Sequence, residues 1–328
     1  MNKNIAVIGC GHWGKNLVRN FSELGSLRSV SDADSRLAKS YSEEFGVIQN
    51  SFSEAIQDPD IDGVVLAVPA PLHCSMAIDV MNAGKHAYVE KPLAMNEDEA
   101  IQMIQASENN KVHLMVGHLL QYHPVFISLK EMVQSGDLGK INYIYSNRLS
   151  FGKIRSEEDV IWSFAPHDIS MVLSLMDEEP EYVMTESATI VQEGIADSAI
   201  IHLSFKSEKK AHISVSWLHP YKEQKLVVIG DSGMAIFDDT QPWEQKLSLY
   251  RHQVFSKEIP PSLSKSEVEY MEVPKSEPLK NECQHFIDVV NGRLIPLTDG
   301  DEGLRVLNVL SAATLSQNEN NVVRIEKL

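Results

Sequence analysis

Gly9, Gly11 and Gly14 form a GxGxxG spacing between an apolar run, Asn4 to Ile8, and an amphipathic stretch, Gly14 to Leu24. In such a turn each glycine has its own physical task. The first permits the sharp bend, the second lets the backbone approach a pyrophosphate, and the third lets helix and strand pack closely. The helix start behind them offers unpaired N–H groups and a partial positive charge to phosphates, with His12 and Trp13 inside the turn. A lone GxGxxG is weak evidence. Here it follows a strand, opens a helix, and is followed by an acidic residue, Asp32, at the end of the next strand, which is the context a dinucleotide fingerprint requires. Asp32 would accept hydrogen bonds from the adenosine ribose hydroxyls and repel a 2′-phosphate, so NAD is expected over NADP. Arg36 is the nearby group that would favour a 2′-phosphate instead. Asp34, just ahead of a helical pattern, reads as a cap.

A second set of groups lies further along. The segment Tyr88-Val89-Glu90-Lys91-Pro92 ends a predicted strand. Ligands of open α/β sheets bind beyond the carboxyl ends of the strands, so topology alone directs Lys91 toward the cofactor crevice. His118, Tyr122 and His123 follow the last strand of the same pattern, at the expected domain junction, where two of the three are expected to be packing or hydrogen-bonded linker residues. Arg148 and Arg155 flank Gly152; a guanidinium fork there would bind phosphate or carboxylate bidentately, or be a solvated surface charge. The three cysteines, Cys10, Cys74 and Cys283, are widely spaced and form no CxxC, which points to free thiols in a reducing compartment and to no metal site.

The elements that must position these groups alternate over the first third of the chain. Strands are expected at about 4–8, 27–31, 63–68, 86–89 and 111–116, and helices at about 14–24, 35–45, 73–83 and 97–109, with a helical turn at 53–56 and Asn96 as a cap. Strands alternating with helices of this length indicate a parallel, doubly wound sheet. Beyond about residue 120 the texture changes. A helix over 124–135 is followed by strands at about 141–149, 182–191, 196–205, 210–217, 225–230 and 233–238, joined by short polar turns that favour antiparallel pairing. One helix, about 167–176, interrupts them, and another, about 280–291, follows them after a loop over 260–278. The expected fold is α/β: a Rossmann domain over residues 1–120 and a substrate-binding and oligomerisation α+β domain with a large, mostly antiparallel open sheet over 121–328.

Composition excludes several classes. With 46 acidic and 29 basic side chains, a net charge of −17, and no basic cluster, the chain is not expected to bind nucleic acid or an anionic membrane surface. There is no apolar stretch long enough to span a bilayer and no signal-peptide pattern, so a cytoplasmic location is expected.

The GxGxxG turn, the Glu90-Lys91-Pro92 tripeptide and the sheet-rich second half together resemble the glucose–fructose oxidoreductase / inositol dehydrogenase / MocA family over essentially the whole chain. The resemblance implies a Lys91 between nicotinamide and substrate, a cis peptide before Pro92, Pro69 and His73 in a loop near the nicotinamide, and a Glu90 that contacts the cofactor ribose or orients Lys91. It also implies a catalytic histidine at the start of a helix in the second domain, matched by His167. Many members carry an aspartate four residues earlier; Ser163 stands there, and Asp168 is the candidate to orient His167 or is simply a first-turn helix acid. Removing a hydride from a carbinol carbon requires losing the hydroxyl proton. A neutral histidine suits the base and a lysine ammonium the polarising partner, with the reverse assignment open.

Within the family, the stretch from Asn147 to Ser170 and the segment SWLHPYKEQK are most similar to nucleotide-sugar oxidoreductases, in particular UDP-N-acetylglucosaminuronate 3-dehydrogenases of bacterial surface-polysaccharide synthesis. That resemblance implies oxidation of the sugar C3 hydroxyl, with His118, Tyr122, Arg148, Arg155 and Asp168 as substrate-binding candidates, and a homodimer or homotetramer. Another sugar or cyclitol dehydrogenase, a ketoreductase running the reverse reaction, and a non-enzymatic NAD-binding sensor are the competing readings.

Overall fold

The structure is a computed structural model that describes residues 4–255, 260 and 262–325. The chain opens with β1 (Ile5–Ile8), α1 (Gly14–Glu23), β2 (Leu27–Ser31), α2 (Ser35–Phe45), β3 (Ile48–Gln49), α3 (Phe52–Gln57), β4 (Gly63–Leu66), α4 (His73–Asn82), β5 (His86–Glu90), α5 (Glu97–Asn110) and β6 (Leu114–Gly117). The strands form one parallel sheet in the order β3-β2-β1-β4-β5-β6. β1, β4 and β6 are buried along their whole length, which is why they read as continuous apolar runs instead of alternating ones. The local signals fit: Asp34, Ser51 and Asn96 accept from backbone N–H groups at the starts of α2, α3 and α5, and Gly46 ends α2 in the left-handed region. The strand expected from Lys111 begins three residues later, because Lys111 itself is the left-handed C-cap of α5.

The next elements are α6 (Pro124–Ser135), β7 (Ile141–Phe151), α7 (Val160–Met176), β8 (Pro180–Ala188), β9 (Ser198–Phe205), β10 (Lys210–Ser216), β11 (Leu218–Gly230), β12 (Met234–Asp238), β13 (Leu247–Tyr250), β14 (Gln253–Phe255), β15 (Ser262–Ser264) and β16 (Val268–Tyr270), followed by α8 (Pro278–Val290), α9 (Gly300–Glu319) and β17 (Val323–Arg324). Nine of these strands form a mixed sheet, β16-β13-β12-β11-β7-β10-β9-β8-β17. Every pair in it is antiparallel except β7 with β10. The fold class is thus α/β, with the parallel and the mostly antiparallel sheet both as expected. No helix among the described residues is long and apolar enough to cross a membrane.

Packing divides the chain into two compact units. One holds the described residues up to Tyr122 together with Ser276–Leu307, the other His123–Lys275 with the residues from Asn308 on. The sequence pattern located α8 but not its partner. Its face of Leu279, Cys283, Phe286, Ile287 and Val290 belongs to the core around Leu17, Phe21 and Tyr88 in the first unit, and Phe286 meets Phe21 and Tyr88 edge-on at 6.3 and 5.6 Å. α7 also differs from expectation. It starts seven residues before His167, with Asp159 as its N-cap accepting from Trp162 N at 3.0 Å. Pro166 therefore sits inside the helix and not at its start, at the cost of one backbone hydrogen bond.

Candidate active site

The nucleotide turn is built as its glycines require. Gly9 has φ +92°, a region an L side chain rarely adopts, and a Cβ there would collide with the carbonyl of Ala67. A Cβ on Gly14 would collide with the carbonyl of Gly9, whereas one on Gly11 would meet nothing within 4 Å. The two outer glycines are thus tied to packing and the middle one faces open space, the side from which a pyrophosphate approaches. No side chain caps the start of α1 and no acid lies in its first turn, leaving its N–H groups and dipole to an anion. Asp32 follows β2 with its carboxylate held by two backbone donors, Cys10 N at 2.7 Å and Asp34 N at 2.8 Å. Each oxygen keeps a lone pair for a ribose hydroxyl. Asp34 caps α2, and the Arg36 side chain, 93 % exposed, folds back onto that same aspartate at 3.3 Å. Burial first, then the Asp32 charge, push the Cys10 thiol up to about 12, so it stays neutral beside the turn. These residues fit a dinucleotide.

The lysine loop leaves β5 next to that turn. Trp13, 40 % exposed, donates its Nε1–H to Glu90 Oε1 at 2.5 Å. Glu90 also takes the Tyr88 hydroxyl at 3.4 Å and the Lys91 amide at 3.3 Å. Its carboxyl is raised above the usual range by burial, against the pull of Trp13 and the Lys91 charge. Lys91 is half-buried, and the Lys91-Pro92 peptide is cis. Pro69 is exposed ahead of a short turn that leads into α4. His73 is buried, with Nδ1 2.8 Å from Pro92 O and Nε2 2.9 Å from Val68 O. Burial lowers its pKa, and a neutral imidazole has one N–H for these two acceptors. Its ring thus lies between the loop after β4 and the loop after β5 and donates to one of the two carbonyls.

The remaining candidates acquire structural partners. His118 is buried against Glu302 at 2.5 Å, and the Tyr122 hydroxyl meets Thr298 Oγ1 at 2.8 Å. In the second unit, His167 is half-buried in the middle of α7. Asp168, expected to orient it or to be a first-turn acid, does neither: α7 began two turns earlier, and the carboxylate accepts Arg148 Nε at 2.5 Å and Ser146 Oγ at 2.6 Å. Arg148 is accordingly held by a buried countercharge. Arg155 is exposed and pairs with Glu158 at 2.7 Å. His123 caps α6 and lies 3.4 Å from Asp239.

Two family models match consecutive parts of the chain: residues 3–118 match the oxidoreductase family with an NAD-binding Rossmann fold, and residues 126–236 match the GFO/IDH/MocA C-terminal domain. The chain belongs to the glucose–fructose oxidoreductase / inositol dehydrogenase / MocA family. It is an NAD-binding oxidoreductase on that ground. Curated relatives include a myo-inositol 2-dehydrogenase of Thermotoga maritima, 26 % identical over 99 % of both chains. A UDP-N-acetylglucosamine 3-dehydrogenase of Acidithiobacillus ferrooxidans is 24 % identical over 92 % of this chain and 93 % of its own. The solved structure of the latter enzyme superposes with a TM-score of 0.86 at 23 % identity, over 97 % and 98 % of the two chains. GenD2 from gentamicin A biosynthesis, solved in complex with NAD, gives 0.83 at 21 %, over 99 % of this chain and 97 % of its own. At these identities the superpositions establish the family fold.

Residues the sequence did not single out also shape the site. Gly117 ends β6 where a Cβ would press on Glu90 Oε2 and the Tyr88 hydroxyl, both at 2.9 Å. Glu282 is fully buried on α8, and neither of its carboxyl oxygens has a hydrogen-bond partner among the described residues. A glycine closing a strand was the one available signal for the first; a glutamate within KNECQHF carries none.

Proposed function

We propose that this family member oxidises a secondary hydroxyl of a sugar to a ketone, with the C3 hydroxyl of a nucleotide-linked amino sugar or its uronate as the reacting group. The observation that carries the reading is Lys91: it leaves the carboxyl end of β5 on a loop bonded, through Glu90 and Trp13, to the nucleotide turn. When bound, NAD supplies the hydride acceptor. The turn of Gly9, Gly11 and Gly14 and the N-terminus of α1 hold its pyrophosphate, and Asp32 its adenosine ribose. The Lys91 ammonium polarises the substrate hydroxyl and stabilises the oxygen as its proton leaves, and the His167 imidazole receives that proton. Asp32, with Arg36 turned onto Asp34, favours NAD over NADP.

A free sugar or cyclitol is the second reading, and one observation favours it. Arg148, the best-placed cation for a diphosphate or uronate, is already neutralised by Asp168, which leaves the exposed Arg155. The test is the near-ultraviolet absorbance of reduced nicotinamide, with protein at substrate-like concentration, NAD, and a panel of UDP-sugars, free sugars and inositols. A rise with UDP-N-acetylglucosaminuronate or UDP-N-acetylglucosamine alone supports the nucleotide-sugar reading. A rise only with free sugars or inositol replaces it with the second. Absence of any signal in either direction, with NAD binding demonstrated, rejects both in favour of a sensor. The same reading carries a homodimer or homotetramer, checked by light scattering.

A further inference from the structure

The residue at the N-cap of a helix usually turns its side chain onto the helix's own orphan N–H groups, which is why Ser, Thr, Asp and Asn are favoured there. Trp13 is the N-cap of α1, and its side chain makes no such bond. An indole has one donor and no acceptor, so it cannot cap. Its N–H is donated instead to Glu90 Oε1 at the end of β5, 77 residues along the chain, at 2.5 Å. The ring is 40 % exposed, whereas the glutamate that receives the bond is buried. A side chain that borders solvent thus commits its single polar atom to a carboxylate inside the protein, where a charge-assisted bond is stronger than one made in water.

Glu90 also accepts from the Tyr88 hydroxyl at 3.4 Å and from the Lys91 amide at 3.3 Å. The Trp13 bond is the shortest of the three, so the indole decides where the carboxylate lies. Gly117 is the wall behind it: a Cβ there would stand 2.9 Å from Glu90 Oε2 and from the Tyr88 hydroxyl. Held in that space, the carboxylate folds onto the amide of the next residue, Lys91. On the other side of Lys91, Pro92 O lies 2.8 Å from His73 Nδ1. Lys91 therefore stands between two anchored neighbours, one joined to the nucleotide turn and the other to the start of α4. The first anchor begins where the cofactor arrives, because Trp13 lies between Gly11, open on its Cβ side, and Gly14, packed on the Gly9 carbonyl. We propose that Trp13 is a positioning residue of the hydride-transfer site, the link through which an occupied nucleotide turn holds the Lys91 loop in place. Ordering the turn orders the indole, the indole fixes Glu90, and Glu90 fixes the backbone of Lys91. Such coupling is reciprocal, so a loop already held also favours the nucleotide.

The effect on turnover rests on the dehydrogenase reading; the link itself needs only a bound nucleotide. The test is hydrogen exchange of the full chain, read by mass spectrometry, with and without saturating ADP. ADP carries the adenosine and two phosphates but neither the nicotinamide nor its ribose, so it fills the turn without covering the lysine loop. The readout is the difference that ADP makes within each protein. In the parent, ADP is expected to slow exchange both in the turn and in peptides spanning residues 88–95. W13F keeps an aromatic ring and deletes the donor; in it ADP should protect the turn alone. With NAD and sugar saturating, kcat of W13F should fall by about tenfold, the low end for one hydrogen bond to a charged group, while NAD affinity is retained. Protection of residues 88–95 that persists in W13F, or that is absent from the parent, overturns the proposal. Folding of each variant is checked by its thermal transition. Should W13F fail to fold, E90A, which removes the acceptor, takes its place with the same expected loss of loop protection. A protein that turns over no sugar yet loses that protection in W13F removes the dehydrogenase reading and leaves this one standing. Sugar turnover with protection unaltered in W13F does the reverse.

Discussion

Lys91 and Asp32 have separable tasks, and substitution should separate them. Lys91→Ala removes an ammonium but leaves the glycine turn and Asp32 untouched. NAD affinity is expected to persist while turnover falls by roughly 10²–10⁴, the scale of a positioned acid–base group. Steady-state rates at saturating NAD decide it, and unchanged turnover removes Lys91 from the mechanism. Asp32→Ala acts on binding instead. The two backbone amides that hold the carboxylate lose their acceptor, the ribose hydroxyls lose theirs, and the charge that repels a 2′-phosphate disappears. NAD should weaken and the NAD/NADP affinity ratio should narrow; an unaltered ratio refutes the assignment. Both residues were legible in the sequence because their chemistry depends on position along a strand, which a βαβ pattern fixes. Glu282 was not. Nothing in the residues around it distinguishes a buried acid from a solvated one, since its burial comes from the partner of α8, some 260 residues earlier, a separation of the order of the Glu277–Arg19 contact at |i−j| of 258.

At the level of elements, helix starts were the least legible feature. Pro166 invites a helix that begins beside it, as proline is favoured in a first helical turn, yet Asp159 caps α7 eight residues before His167. Asp159→Ala should therefore cost about 1 kcal/mol, the usual loss for an N-cap, seen as a lower denaturant midpoint with the slope unchanged. If the helix began at His167, the substitution would be silent. α9 was missed altogether, although Leu304, Leu307 and Leu310 recur at helical spacing and are buried, and Asp299 accepts from Glu302 N at 2.9 Å. The parallel pairing of β7 with β10 had no local signal, because strand periodicity records which face is buried and not which neighbour is bonded. Gly117 gives a second prediction at this scale. A methyl group at the end of β6 must displace either the Glu90 carboxylate or the Tyr88 hydroxyl, so Gly117→Ala should weaken NAD, measured by calorimetry, far more than it lowers the thermal midpoint. A loss of stability with intact NAD affinity would mean that the strand end yields and the carboxylate does not.

For the whole molecule, each unit contains an acid whose response to pH has the opposite sign to the other's. In the second unit, burial alone would raise Asp239, but His123 and Lys246 outweigh it and bring it to about 2. Its stabilisation is present above the usual value of 3.8 and is lost as pH falls through about 2. In the first unit, Glu282 is held well above the usual value of 4.5 by burial and then by Glu90. The folded state binds that proton more tightly than the unfolded chain does. This contribution is complete below 4.5 and is lost as pH rises toward the folded value. Every other carboxylate of a chain with net charge −17 also contributes to the total pH profile, so the informative quantity is a difference between two proteins. Glu282→Gln keeps the size and a hydrogen-bond donor but has no proton to lose. Its thermal midpoint minus that of the parent should stay flat below the usual carboxylate value of 4.5 and climb as pH rises above it, as only the parent has to keep or lose that proton. A difference that is independent of pH would mean that Glu282 titrates alike in the folded and unfolded chains. One that falls with rising pH would mean that it is ionised in the fold. Either result would dismantle the account of Glu282 as a buried neutral acid.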